Sequence, residues 1–120
     1  MDSNERKESQ ALDQIAGILA KIEDRRLIRE FLVCILTKYE IQEIAGRWEL
    51  VKLLYDGMSQ RRIADELGMS LCKITRGSKE LQKKGSAFKT VLDTYVEHGT
   101  PEDQETAIEG VTDAYQSSPE

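Results

Sequence analysis

The stretch from Gly57 to Leu81, GMSQRRIADELGMSLCKITRGSKEL, constrains the fold of this chain more than any other. It predicts two short helices with a glycine turn between them. Ser59 and Ser70 stand where a serine side chain accepts a hydrogen bond from an unpaired first-turn N–H. Ile63, Ala64 and Leu67 give the first helix an apolar stripe, and Leu71, Ile74 and Leu81 give one to the second. Gly68 supplies the backbone freedom that a tight turn needs. Two short amphipathic helices joined in this way form the helix-turn-helix pattern, here spanning about 59–84. Its second helix keeps Lys73, Arg76 and Lys79 for its other faces.

Net charge is −5, which by itself argues against a nucleic-acid partner, but the charge is unevenly spread. Residues 99–120 contain six acids (Glu102, Asp103, Glu105, Glu109, Asp113, Glu120) and no Lys or Arg. Residues 58–90 contain eight bases (Arg61, Arg62, Lys73, Arg76, Lys79, Lys83, Lys84, Lys89) against three acids (Asp65, Glu66, Glu80), a net +5. A local basic patch governs phosphate binding more than whole-chain charge does. Its coincidence with the helix-turn-helix points to DNA.

The rest of the chain reads as helices around this unit. Residues 1–8 are expected to be a disordered arm. From Ser9, Leu12, Ile15, Ile18, Leu19 and Ile22 form an apolar stripe too strong for the little core nearby, so a partner subunit is a candidate to cover it. After the polar break Glu23–Arg26 comes a second helix carrying Leu27, Ile28, Phe31, Leu32 and Ile35. Thr37 and Glu40 have capping-box spacing and open a third helix, Lys38 to about Tyr55. Ile41, Ile44, Ala45, Trp48, Val51 and Leu53 or Leu54 are expected to face inward there. Gly57 stops that helix, Gly85 stops the recognition helix, and Ser86 caps a last one bearing Phe88, Val91, Leu92 and Tyr95. Residues 99–120 read as a mostly disordered acidic tail, with at most a transient helical turn over 107–115.

The fold class is therefore all-α with six helices in one domain, 9–98. No apolar run approaches a membrane span, the N-terminus lacks a secretory signal, and Cys34 and Cys72 read as reduced thiols, so a cytoplasmic location is expected. One His and two isolated Cys leave little material for a metal site, and no nucleophile–base pair points to an enzyme.

Leu36-Thr37, Arg47, Met58-Ser59-Gln60-Arg61, Leu67-Gly68 and Ile74-Thr75-Arg76-Gly77-Ser78 with Leu81 together resemble the tryptophan repressor family. The resemblance covers roughly residues 27–95, and Ile-Thr-Arg-Gly-Ser at the end of a helix-turn-helix is its most specific part. It implies an intertwined homodimer whose N-terminal helices wrap around the partner. It also implies L-tryptophan as corepressor, bound between the third helix and the recognition helix, with no other cofactor.

Carried over by position, Arg47 and Arg76 sandwich the indole, since guanidinium planes stack on aromatic faces. Carbonyls near Leu32, Cys34 and Leu36 meet the ammonium, Thr37 donates to the carboxylate, and Gly77 lets the ring approach the backbone. From the residues alone, the preferred readings are that Arg47 pairs with Glu43 one turn before it and that Arg76 contacts only phosphate. Many relatives carry a small residue where this chain has Glu80; a carboxylate there either accepts from the ligand's ammonium or weakens carboxylate binding.

For operator double-stranded DNA, the family's docking puts the start of the recognition helix in the major groove. Gln60 and Arg61 then meet phosphates. Met69, Ser70, Leu71, Cys72, Lys73 and Thr75 lie at the reading end, with Lys73 and Thr75 the best polar readers. Arg76, Lys79, Lys83 and Lys84 suit backbone contacts, while Leu71 and Ile74 equally suit core packing, the reading preferred for both. The expectation is a tryptophan-activated repressor that binds a palindromic operator of tryptophan-related genes as a dimer. The alternatives are a related regulator that is tryptophan-independent or uses another ligand, and a helix-turn-helix used as a protein-interaction module.

Overall fold

The computed structural model describes residues 2–99, all helix and connecting turn. The six helices are α1 (Ser3–Leu19), α2 (Arg25–Ile35), α3 (Lys38–Tyr55), α4 (Gln60–Leu67), α5 (Leu71–Gln82) and α6 (Ala87–His98). The chain divides into two compact units, one reaching Ile41 and one starting at Gln42. The acidic segment 100–120 lies outside the described residues.

In the first unit, α1 starts at Ser3, ahead of the apolar period, so the expected disordered arm is helical from that point. The Asp2 carboxylate accepts a hydrogen bond from Glu5 N at 2.8 Å and fixes the start. Periodicity signals only the apolar part of a helix, whereas a cap extends it through residues with no burial signal. The polar break before α2 contains that helix's own cap, because Asp24 Oδ1 accepts from Leu27 N at 3.2 Å. No residue of α1 or α2 is buried. Leu12 is 67% exposed, and Ile18, Leu27, Leu32, Val33 and Ile35 also stay exposed.

The capping box at Thr37 is reciprocal: Thr37 N donates to Glu40 Oε1 at 2.8 Å, and Glu40 N donates to Thr37 Oγ1 at 3.1 Å. At the other end of α3, Gly57 adopts φ +92°. Gly57 N bonds Leu54 O at 3.0 Å and Met58 N bonds Leu53 O at 3.1 Å, which closes the helix in the glycine-dependent Schellman arrangement.

Ser59, Ser70 and Ser86 cap α4, α5 and α6 through Arg62 N, Lys73 N and Lys89 N. Gly68 turns the chain between α4 and α5 at φ +61°. α5 ends at Gln82, so Gly85 (φ +72°) belongs to the following turn and does not itself stop the helix.

Leu50, Ile63 and Ile74 form the core of the second unit, with Leu53, Leu54, Met58, Ala64 and Met69 packed around them. Two sequence expectations shift here. Leu50 and Val51 are the buried residues of α3, and Ile44 is half exposed. α3 is apolar on two adjacent stripes, and period alone does not say which one faces the core. Leu71 is 57% exposed and does not pack in the core as Ile74 does. It is the first residue of α5, and its side chain leans toward the helix N-terminus, away from the layer where Ile74 packs.

Candidate functional site

Gly77 on α5 lies against the side chains of Leu50 and Leu54 on α3, which fit there because it has no side chain. A Cβ there would stand 3.1 Å from Leu50 Cδ2 and 3.5 Å from Leu54 Cδ1. Beside this contact is a cleft of about 430 Å³. α3 contributes Gln42, Glu43, Gly46, Arg47, Leu50 and Val51, and α5 contributes Lys73, Arg76, Gly77 and Glu80. Met69, from the turn before α5, and Phe88, from α6, complete the lining. Its apolar part is Leu50, Val51, Met69 and Phe88, and its rim carries five charged side chains. That is the composition of a small-molecule site: an apolar body with a few orienting polar groups.

The charges are organised. The Glu43 carboxylate lies 3.9 Å from Arg47 Nη2 and 3.7 Å from Lys73 Nζ, so one acid on α3 reaches both its own helix and α5. Glu80 lies 3.1 Å from Lys83 Nζ. Arg76 has no ion pair or hydrogen bond to another described side chain. These exposed pairs each contribute at most about 1 kcal/mol, so a charged ligand displaces them at little cost.

Four of the expected ligand residues, Arg47, Arg76, Gly77 and Glu80, line this one cleft. The Glu43 pairing expected for Arg47 on its own helix is present as well. Leu32, Cys34, Leu36 and Thr37 belong to the first unit. Leu32 O already accepts from Leu36 N at 3.0 Å, so it is not the unpaired helix-end carbonyl expected from the sequence. Thr37 Oγ1 is the acceptor in the α3 cap and keeps its own hydrogen to donate. The lining residues that the sequence reading missed as site residues are Gln42, Glu43, Gly46, Leu50, Val51 and Phe88. Of these only Glu43, one turn before Arg47, carried a local signal.

The expected nucleic-acid residues divide differently. Thr75 Oγ1 donates to Gln60 Oε1 at 3.1 Å, tying the start of α4 to α5. The Thr75 hydrogen is thereby committed, and this hydroxyl has only lone pairs to offer a base edge. Met69 packs on the core and lines the cleft, which takes its side chain from the reading surface. Leu71 and Cys72 are exposed and share a shallow depression with Thr75, Arg76 and Lys79. Ser70 serves as the α5 cap. Arg61, Lys79 and Lys84 have no ion-pair partner among the described residues, whereas Lys73 and Lys83 pair with Glu43 and Glu80. Arg76 borders both the cleft and the shallow depression.

α6 is fastened to α3 at two points. Tyr55 Oη donates to Asp93 Oδ1 at 2.6 Å. That hydrogen bond holds the Asp93 carboxyl below its usual range, helped by Lys89, and raises the Tyr55 phenol above its own. Trp48 and Tyr95 meet edge to face, with ring centroids 5.4 Å apart and planes at 83°. Among the described residues no group of His, Cys, Asp and Glu could hold a metal ion, and no helix is long and apolar enough to cross a membrane.

The chain is similar in sequence to several known proteins. A Trp operon repressor homolog of Xylella fastidiosa is 38% identical over 74 residues, 61% of this chain and 80% of that protein. One from Vibrio campbellii is 32% identical over 87 residues, 72% of this chain and 87% of its own. One from Chlamydia trachomatis is 29% identical over 76 residues. No solved structure matches the chain. Residues 10–95, which include all of α2 to α5, the complete cleft lining and most of α6, match the Trp repressor protein family, and the chain belongs to that family.

Proposed function

We propose that this protein is a transcriptional repressor that uses L-tryptophan as corepressor and binds a palindromic operator as a homodimer in the cytoplasm. The observation that carries the reading is the position of the cleft between α3 and α5. A ligand there touches the scaffold through Arg47 and the reading helix through Arg76 at once. Binding energy is then spent on one orientation of α5, and a ligand shifts an equilibrium only by such differential contact. An indole suits the apolar lining and the two guanidinium groups.

The DNA-facing set is Gln60, Arg61, Ser70, Leu71, Cys72, Lys73, Thr75, Arg76, Lys79 and Lys83. Arg61 and Lys79 act on phosphates, and Lys73 reads a base after leaving Glu43. The exposed apolar row Leu12, Ile18, Leu27, Leu32, Val33 and Ile35 supports a second copy of the chain as its cover. In the dimer, Cys34, Leu36 and Thr37 supply backbone and hydroxyl groups to the ligand. The relatives' shared description as Trp operon repressor homologs favours genes of tryptophan metabolism as the target.

Calorimetry with L-tryptophan tests the reading. The expected result is saturable binding that Arg76→Ala abolishes while the fold, followed by circular dichroism, is kept. Unchanged binding by Arg76→Ala would remove Arg76 from the site. An absence of heat with the unaltered protein would favour a regulator of this family that answers to another ligand or to none.

A further inference from the structure

Of the features that the sequence sets apart, the acidic segment 100–120 is the one that the proposed function leaves without a task. It carries six of the chain's 22 acids and none of its 17 bases, so residues 1–99 are left at a net +1. The family match ends at residue 95, so the segment lies beyond what the chain shares with the Trp repressor family. The positive charge that complements it is concentrated on the helix-turn-helix. Of the eight bases in 58–90, Arg62, Lys73, Lys83 and Lys89 pair with Glu66, Glu43, Glu80 and Asp93. Arg61, Arg76, Lys79 and Lys84 have no ion-pair partner among the described residues, and all four are exposed. Three of these belong to one face. The Gln60–Thr75 hydrogen bond holds the start of α4, with Arg61 next to Gln60, against α5. Arg76 and Lys79 share the shallow depression that Thr75 lines.

Resting on the reading of α4 and α5 as a DNA-binding face, we infer that segment 100–120 docks on this face and competes with duplex DNA for Arg61, Arg76, Lys79 and Lys84. Carboxylates offer these cations what phosphates do, a charged acceptor, and blocks of like charge commonly serve as interaction tails. Six acids stand against four unpaired cations, so sign and number both suit. Reach is no obstacle. The segment follows Gly99 at the end of α6, in the same unit as α4 and α5. A chain of 21 residues spans at most about 70 Å, against about 18 Å for the whole of α5. Tethering gives the segment a local concentration in the millimolar range. Each exposed pair is weak, so DNA displaces the segment at a cost and meets no permanent block. The contact lowers the affinity for any duplex, so stray DNA is left unbound at concentrations where an operator is still held.

The test compares the full chain with a full-length variant whose segment is neutralised by Glu102→Gln, Asp103→Asn, Glu105→Gln, Glu109→Gln, Asp113→Asn and Glu120→Gln. All six positions follow α6, and matching thermal melts confirm the fold. The probe is a mixed-sequence duplex of about 25 base pairs, followed by fluorescence anisotropy with no amino acid added, so that phosphate contacts alone are read. The second readout is the amide NMR spectrum of both proteins without DNA. The expected result is duplex binding about three- to thirtyfold tighter in the variant at about 50 mM salt, an advantage that shrinks as salt rises. With it come shifts of the Arg61, Arg76, Lys79 and Lys84 amides between the two proteins. Equal duplex affinity overturns the competition while leaving the DNA-binding face. Tighter binding with those four amides unmoved overturns the docking and leaves only the change in net charge. No duplex binding by either protein overturns the competition and the DNA-binding reading together.

Discussion

The two units of this chain answer the hydrophobic problem in opposite ways. The unit from Gln42 onward is closed on itself: Ile63 and Ile74 are fully buried, and Leu50, Val51 and Leu92 nearly so. Each of its last three helices starts at a serine cap. The unit before it has equally good caps, at Asp2, Asp24 and Thr37, yet buries no residue and leaves Leu12 and Ile18 mostly in solvent. Caps make helices, and only burial makes a core. The comparison places the self-sufficient fold at the reading unit and leaves the N-terminal helices with an apolar face to cover, which the proposed dimer does.

Substitutions sort along this contrast. Ile74→Ala or Ile63→Ala should cost about 2–5 kcal/mol in urea unfolding, the range for a cavity in a closed core; a cost under 1 kcal/mol would break the claim that the second unit stands on its own core. Leu12→Glu should leave that core intact but remove any dependence of the melting temperature on protein concentration. If the unaltered protein melts independently of concentration, no second copy covers the N-terminal face.

Gly77→Ala should destabilise by roughly 0–2 kcal/mol, because overpacking against Leu50 exceeds the helix propensity gained. It should also weaken ligand binding by prising α5 from α3, and unaltered binding would separate the cleft from this contact. The smallest effect concerns pH. Asp93 is held low by the Tyr55 hydrogen bond, so its contribution is present above about pH 4 and is lost as pH falls through its folded pKa. Tyr55 is raised, so its contribution is present below about pH 10 and is lost as pH rises through its own folded value. Tyr55→Phe should flatten both edges of the stability profile, and an unchanged profile would show that α6 is held by other contacts.

Much of the second unit was legible in the sequence, because short-range chemistry decides it. Ser59, Gly68, Ser70 and Ser86 act within a few residues of themselves, and each cap stands where expected. The helical start at Ser3 was hidden because its cap precedes any apolar period. Leu50 was hidden because α3 has two apolar stripes and its burial comes from packing with Ile63 and Ile74, residues far along the chain. Phe88 reaches the cleft from a helix whose sequence carries only a burial signal. Met69 looked like a reading residue by position, but it packs on the core and lines the cleft, while Thr75 also ties α5 to Gln60.

The central claim is that a ligand in the α3–α5 cleft sets the reading helix. Its most direct test is the affinity of the full chain for a palindromic DNA selected from a random pool in the presence of L-tryptophan, measured with and without the amino acid. The account predicts that saturating L-tryptophan tightens binding by about tenfold or more, the size of an ordinary coupling between two sites. Equal affinity in both conditions would contradict it.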